Sequence, residues 1–181
     1  AWAFSSSQYV QAAVKNVEEY VKANANLSIP SRAETPMQTS YRPGLDVSRE
    51  LTPVLASFYM SLIGILRWIV ELGRVDICLE VSMMSSHMAM PRQGHLDQVL
   101  HIFGHLKKYH NTEMVFDPSN PVIDETKFKK QDWTSSEFGH IDGVEVLPVN
   151  APEPRGRGFY VRGKVDADHA ADIVTRRSRT G

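Results

Sequence analysis

The sequence predicts a mainly α-helical fold of about four helices, followed by a long irregular segment and a C-terminal β-strand. Three observations carry that expectation. Apolar residues recur at steps of three and four over separate stretches between residues 5 and 109. Residues 118 to 158 show no hydrophobic period and cluster Pro, Asp, Gly and Glu, the pattern of a tether or an insertion. Beyond them "FYVRGKVDAD", starting at residue 159, alternates as a strand does.

The elements follow in order. "WAFSSSQYVQAAVKNVEEYVKA" reads as a strand end running into a helix, with Ser5 as cap and Gln8 closing the box. Tyr9, Val10, Ala13, Val14, Val17, Tyr20 and Val21 make its apolar face. Residues 24–52 are polar and Pro-rich, a long connection. A second helix starts with Thr52 as cap and Pro53 at its first position. Its seam is Leu55, Phe58, Leu62, Ile65, Ile69 and Leu72, and Gly73 ends it. Asp76 sits where a third helix, over "DICLEVSMMSSHMAM", welcomes negative charge. Pro91 and Gly94 break the chain again. "HLDQVLHIFGHLKKY" is a fourth helix, with Leu96, Val99, Leu100, Phe103 and Leu106 inward and Lys107 and Lys108 near its end. "TEMVFD" is a short strand that stops at Pro118.

Composition bounds the function classes. The chain has 181 residues, 42% of them hydrophobic, and a net charge of −1, which argues against a dedicated nucleic-acid-binding domain of high pI. The basic residues gather at the end: residues 155 to 181 hold seven Lys/Arg against three Asp. A single cysteine, Cys78, allows no internal disulfide and makes an intracellular compartment the expectation. No stretch has signal-peptide character. The most apolar run, 62–72, falls short of the roughly 20 residues that span a bilayer, so no membrane partner is expected. Because the chain opens on Ala1 and a strand-like "WAF", it reads as part of something longer.

Few motifs carry chemistry. His101 and His105 lie four apart, the spacing of two metal ligands on a helix, but lack the adjoining glutamate of a zinc protease motif. Cys78 alone completes no thiolate set, so a packed or solvated helix face is the better reading. Cys78, expected inside an apolar helix, is no nucleophile candidate either. Met83, Met84, Met88 and Met90 read as gap-fillers. Asp166 and Asp168, two apart on a strand, point to one face where both carboxylates can approach a hard cation. Arg176, Arg177 and Arg179 follow them, and arginine forks suit phosphates.

"VDADHAADIVTRRSRTG" resembles the opening of the ribonuclease H domain in copia-type (pseudoviral) retrotransposon polyproteins. Their pattern there is Asp-Ala-Asp-Trp-Ala-Gly-Asp, a short gap, then Thr-Arg-Arg/Lys-Ser-x-x-Gly. Asp166, Ala167, Asp168, Ala170, Asp172, Thr175, Arg176, Arg177, Ser178 and Gly181 match, while His169 and Ala171 replace the usual Trp and Gly. "FYMSLIGILRWIVELGRVDI" is similar to the family's Tyr-x-x-x-Ile-Gly-x-Leu-x-Tyr/Trp stretch and the Arg-Pro-Asp-Ile after it. Tyr59, Ile63, Gly64, Leu66, Trp68, Arg74, Asp76 and Ile77 carry that likeness, with Val75 in place of Pro. "HLDQVLHIFGHLKKY" resembles the helix that follows, and "SSSQYV" with "TPM" at 35–37 resembles the stretch just after the polymerase palm.

The resemblance implies an organisation. Residues 1–117 would be the palm edge and helical thumb of a reverse transcriptase, 118–158 a tether, and 159–181 the first strand and turn of a truncated α/β ribonuclease H-like domain. It implies that Asp166 is a catalytic metal ligand, with Asp168 a second candidate, in two-metal Mg²⁺ phosphodiester cleavage. The remaining acids, and the polymerase's own aspartates, would lie outside this segment, so the fragment is expected to be inactive alone and to bind no Mg²⁺ by itself. Its expected partners are an RNA–DNA or DNA template–primer duplex and the rest of the polyprotein, in a cytoplasmic virus-like particle or the nucleus. Arg67, Arg74, Lys107, Lys108, Arg176 and Arg177 are the expected phosphate contacts. The alternative is a non-catalytic helical interaction module, or the decayed remnant of such an element.

Overall fold

The protein is mainly helical. The structure, a computed structural model, describes residues 2–23, 27–117, 119, 124, 126 and 148–153. The expected C-terminal strand and nearly all of the expected tether therefore lie outside the described residues. In order, the elements are β1 (Trp2–Phe4), α1 (Ser7–Lys22), α2 (Pro53–Glu71), α3 (Cys78–Ser85), α4 (Gln93–Lys108) and β2 (Met114–Phe116). Short 3₁₀ turns occupy Pro43–Leu45 and Val75–Ile77. The strands at the two ends of this unit pair antiparallel, Trp2 with Phe116 and Phe4 with Met114.

Local chemistry explains each helix. α1 begins one residue later than expected: Ser6 is its N-cap, without a side-chain bond, and Ser5 Oγ accepts from the Ser7 N–H instead. Five valines and alanines of its predicted face are buried, whereas Tyr9 and Tyr20 stay on the rim. α2 starts as predicted, with Pro53 at its first position and Thr52 Oγ1 accepting from Leu55 N–H at 3.4 Å. Its buried seam is rotated from the expected one. Tyr59, Leu62, Ile63, Leu66 and Ile69 are buried, while Leu55, Phe58, Ile65 and Leu72 are half-buried. Tyr59 pays for its burial by donating its hydroxyl to the Met84 carbonyl at 2.7 Å. Gly73 closes α2 at φ +95°, a left-handed position that a side chain resists.

By length and composition α2 is apolar enough to cross a membrane. That corrects the reading of 62–72 alone, because the helix begins at Pro53. In this fold one face of α2 packs on α3 and α4. α3 is shorter than expected and has Cys78 as its first residue, exposed and not packed in the helix interior. Of the methionines, Met84 is fully buried and fills the core as expected, but Met90 is exposed.

α4 is the centre of the unit. It packs against α1, α2 and α3 through Leu96, Val99, Leu100, Phe103 and Leu106, the predicted inward face. Its other side is also buried, by the 27–50 connection, which wraps it as a strap. Gly104 makes the approach possible: a Cβ there would lie 2.5 Å from the Pro30 carbonyl oxygen and 3.3 Å from Ala33 Cβ.

Gly104→Ala is therefore expected to destabilise the fold by about 1–3 kcal/mol, since backbone has to move. Gly64→Ala, also within a helix but with open space around its Cβ position, is expected to stabilise by up to ~1 kcal/mol through helix propensity. Urea denaturation of the two variants side by side checks the contrast.

Candidate nucleic-acid interface

The charged residues nominated from the sequence meet different fates. Arg74 is 1% exposed, so its reading as a phosphate contact is corrected. Its Nε and Nη2 donate to the two oxygens of Asp76, each at 2.8 Å, in the bidentate fork that guanidinium and carboxylate favour. The spacing forces this: Arg74 ends the turn after α2, and Asp76 lies in the 3₁₀ turn that leads into α3. His105 on α4 approaches the same carboxylate, Nε2 to Oδ2 at 3.8 Å. Arg74 thus closes the α2–α3 corner through Asp76 and has nothing left to offer an external phosphate on its paired edge.

Lys107 and Lys108 are exposed, but both are engaged. Lys107 pairs with Glu18 on α1, and Lys108 pairs with Glu34 of the strap. Tyr109 donates its hydroxyl to the other oxygen of Glu34 at 2.6 Å. The hydrogen bond from Lys108, then that from Tyr109, holds the Glu34 carboxyl below the ordinary range, and the same Lys108–Glu34 bond raises the Lys108 ammonium above its own. Arg67 is exposed on α2, beside a groove shared with Val70, Glu71, Cys78, Val81, Ser82 and Ser85. No ion pair engages it among the described residues. Asp166, Asp168, Arg176 and Arg177 lie outside the described residues. Within the described residues, no three His, Cys, Asp or Glu side chains converge as a metal site.

His101 and His105 are packed, not solvated. Each donates a ring N–H to a strap carbonyl: His101 Nε2 to Thr35 O at 2.9 Å, His105 Nδ1 to Ala33 O at 3.3 Å. A carbonyl only accepts, which fixes where each ring carries its proton.

Two features of α2 escaped the sequence reading. Its core face takes Tyr59, Leu62, Ile63, Leu66 and Ile69, which turns Met60, Gly64, Arg67 and Trp68 outward. Met60, Gly64 and Trp68 are spaced four apart along that side. Trp68 is 54% exposed, and a Cβ on Gly64 would meet nothing within 4 Å. The spacing was present in the sequence, but only the rotated seam shows which face it lies on.

The chain matches no family model, no curated protein and no solved structure.

Asp76 gives a pH test of the corner. Burial pushes its carboxyl up, but the Arg74 hydrogen bonds and charge outweigh that, and the net result lies below the ordinary carboxylate range. The stability it contributes is complete above the unfolded value of about 3.9 and is lost as pH falls through the lower folded value. Asp76→Asn is expected to cost about 2–3 kcal/mol near neutrality, discounted from a fully buried pair because Asp76 is a third exposed. It should also flatten the decline in stability as pH falls below about 4. Urea midpoints of both proteins across that range decide it.

Proposed function

We propose that this chain is the helical, thumb-like segment of a copia-type reverse transcriptase–ribonuclease H polyprotein, and that its residues 2–117 help to hold a template–primer duplex. The observation that carries the reading is how the residues behind the resemblance divide. Tyr59, Ile63, Leu66 and Ile77 are buried in the core, and Arg74 with Asp76 forms the corner pair, so packing uses all six. Gly64 and Trp68 are different: they face solvent, and nothing in the fold requires a tryptophan or a missing side chain there. An open position, a flat aromatic ring and the Arg67 guanidinium on one helix side form a shallow shelf for a sugar–phosphate backbone. Such a surface holds a duplex without reading its sequence.

In the same reading, the segment from 159 opens a ribonuclease H domain and Asp166, with Asp168 beside it, serves as a Mg²⁺ ligand of that domain. Arg176 and Arg177 are phosphate contacts in that reading. Catalysis belongs to the assembled polyprotein and not to this segment.

A second reading has its own support. Val54, Met60 and Trp68 expose apolar surface along α2, and Val75 and Leu79 do so nearby in the chain. Surfaces of that kind dock other proteins, as expected of a non-catalytic helical interaction module.

An RNA–DNA hybrid duplex titrated with the chain over a salt series separates the two. Duplex holding predicts binding that weakens linearly in log–log form, with Arg67→Ala reducing the slope by about 0.9, one phosphate's share. Trp68→Ala is expected to weaken binding several-fold at unchanged slope, while Lys108→Ala leaves binding nearly unchanged because Glu34 already holds that charge. No binding at low salt would overturn the duplex reading and favour the interaction module.

A further inference from the structure

We infer that the groove between α1 and the C-terminal end of α4 is a binding site for a single phosphate group. The groove is a cavity of about 160 Å³ lined by Gln11, Val14, Lys15, Glu18, Lys107 and His110. This deepens the duplex reading and rests on it only for the source of the phosphate.

The hydrogen bonds around His110 set its chemistry. Gln11 Nε2 lies 3.0 Å from His110 Nδ1, and Ser7 Oγ lies 2.9 Å from it. An amide nitrogen only donates, so Nδ1 is the acceptor and the neutral ring carries its hydrogen on Nε2. Gln11 also donates to Ser7 Oγ at 3.1 Å, which locks the three side chains together. Nε2–H is then a fixed donor with no partner among the described residues.

Lys15 lies one turn beyond Gln11 on α1, and its ammonium makes no ion pair among the described residues. Lys107 reaches the same groove from α4, where Glu18 holds it. The lining therefore carries Lys15 and Lys107 against Glu18, a net charge of +1, and its one carboxylate is already matched. Two ammonium groups are point charges without the planar fork that matches a carboxylate edge to edge. Together with an imidazole N–H they suit an oxyanion whose oxygens diverge, which is phosphate. Ser7 beside His110 has the look of a nucleophile and its base, but Gln11 Nε2 also donates to Nδ1 and competes with the Ser7 hydroxyl for that single lone pair, so the trio is read as a binding element.

The phosphate can be a free ion or one phosphodiester of a duplex, and one set of spectra distinguishes them. The whole chain is titrated at pH 7.5 with inorganic phosphate, and in parallel with chloride at matched ionic strength, following backbone amides and the histidine ring nitrogens. The expected result is a saturable shift at His110 Nε2 and around Gln11 and Lys15 with phosphate only. Lys15→Ala and Lys15→Gln should abolish it while the remaining spectrum keeps its dispersion. If the same resonances move with an RNA–DNA duplex, and Lys15→Ala weakens duplex binding by about threefold or more, the phosphate is a backbone group. If they move with inorganic phosphate but Lys15→Ala leaves duplex binding unchanged, the site holds free phosphate. Absence of a saturable shift with both ligands overturns the site. Duplex binding that still depends on Arg67 and Trp68 would then leave the duplex reading standing.

Discussion

The row of side chains on α4 that faces the strap is the interaction on which the rest of the unit depends. A connection as long as 27–50 has few internal backbone bonds, and laying it against a helix buries carbonyls that need donors. α4 supplies them at one spacing. His95 Nε2 meets Pro43 O at 3.0 Å, Gln98 Nε2 meets Pro36 O at 3.2 Å, and His101 and His105 meet Thr35 and Ala33. The steps of three, three and four keep all four side chains on one stripe. The strap returns the service at the start of α4, where Gln93 and Gly94 N–H groups would otherwise lack partners. Arg49 O and Ser48 Oγ accept from them at 2.9 Å each. Asp46, held by Tyr41 and Ser48, presses its carboxylate against Gly94 at that positive helix end.

With both sides of α4 covered, the remaining helices have one place to go. α1, α2 and α3 pack on the apolar half, and Arg74 with Asp76 closes the α2–α3 corner beside His105. This geometry decides which side of α2 remains free. The face toward α3 and α4 takes the bulky aliphatic residues, so Gly64, Arg67 and Trp68 remain outside. The exposure of Trp68 is thus a consequence of how the core is built.

The helices were legible because their apolar periods are long and well punctuated: Thr52–Pro53 opens α2, Gly73 closes it, and Pro91 precedes α4. The second buried side of α4 was not legible. Histidine and glutamine in a helix look like a solvent face until something is seen to cover them, and the covering strap has no period of its own. The rotated seam of α2 has a similar cause. The helix is apolar nearly all round, so its period alone does not say which residues the core takes. Arg74 was misleading, and the pairing of Lys107 and Lys108 was hidden, because charge is visible in a sequence but its partner is not. Asp76 stands two residues from Arg74, but Glu18 and Glu34 are distant in sequence from the lysines they hold.

That pairing changes what kind of contact the unit can make. Surface ion pairs contribute little to stability, yet they lower the free charge a surface offers to a polyanion. With Arg74 buried and the two lysines matched, the cations without an ion pair among the described residues are scattered: Arg67 on α2, Lys15 and Lys22 on α1, and Arg32, Arg42 and Arg49 on the strap. Long-range electrostatic attraction to a duplex needs a dense field, and a chain of net charge −1 supplies none over these elements. A polyanion would then be met on these elements at contact distance and not by a long-range field.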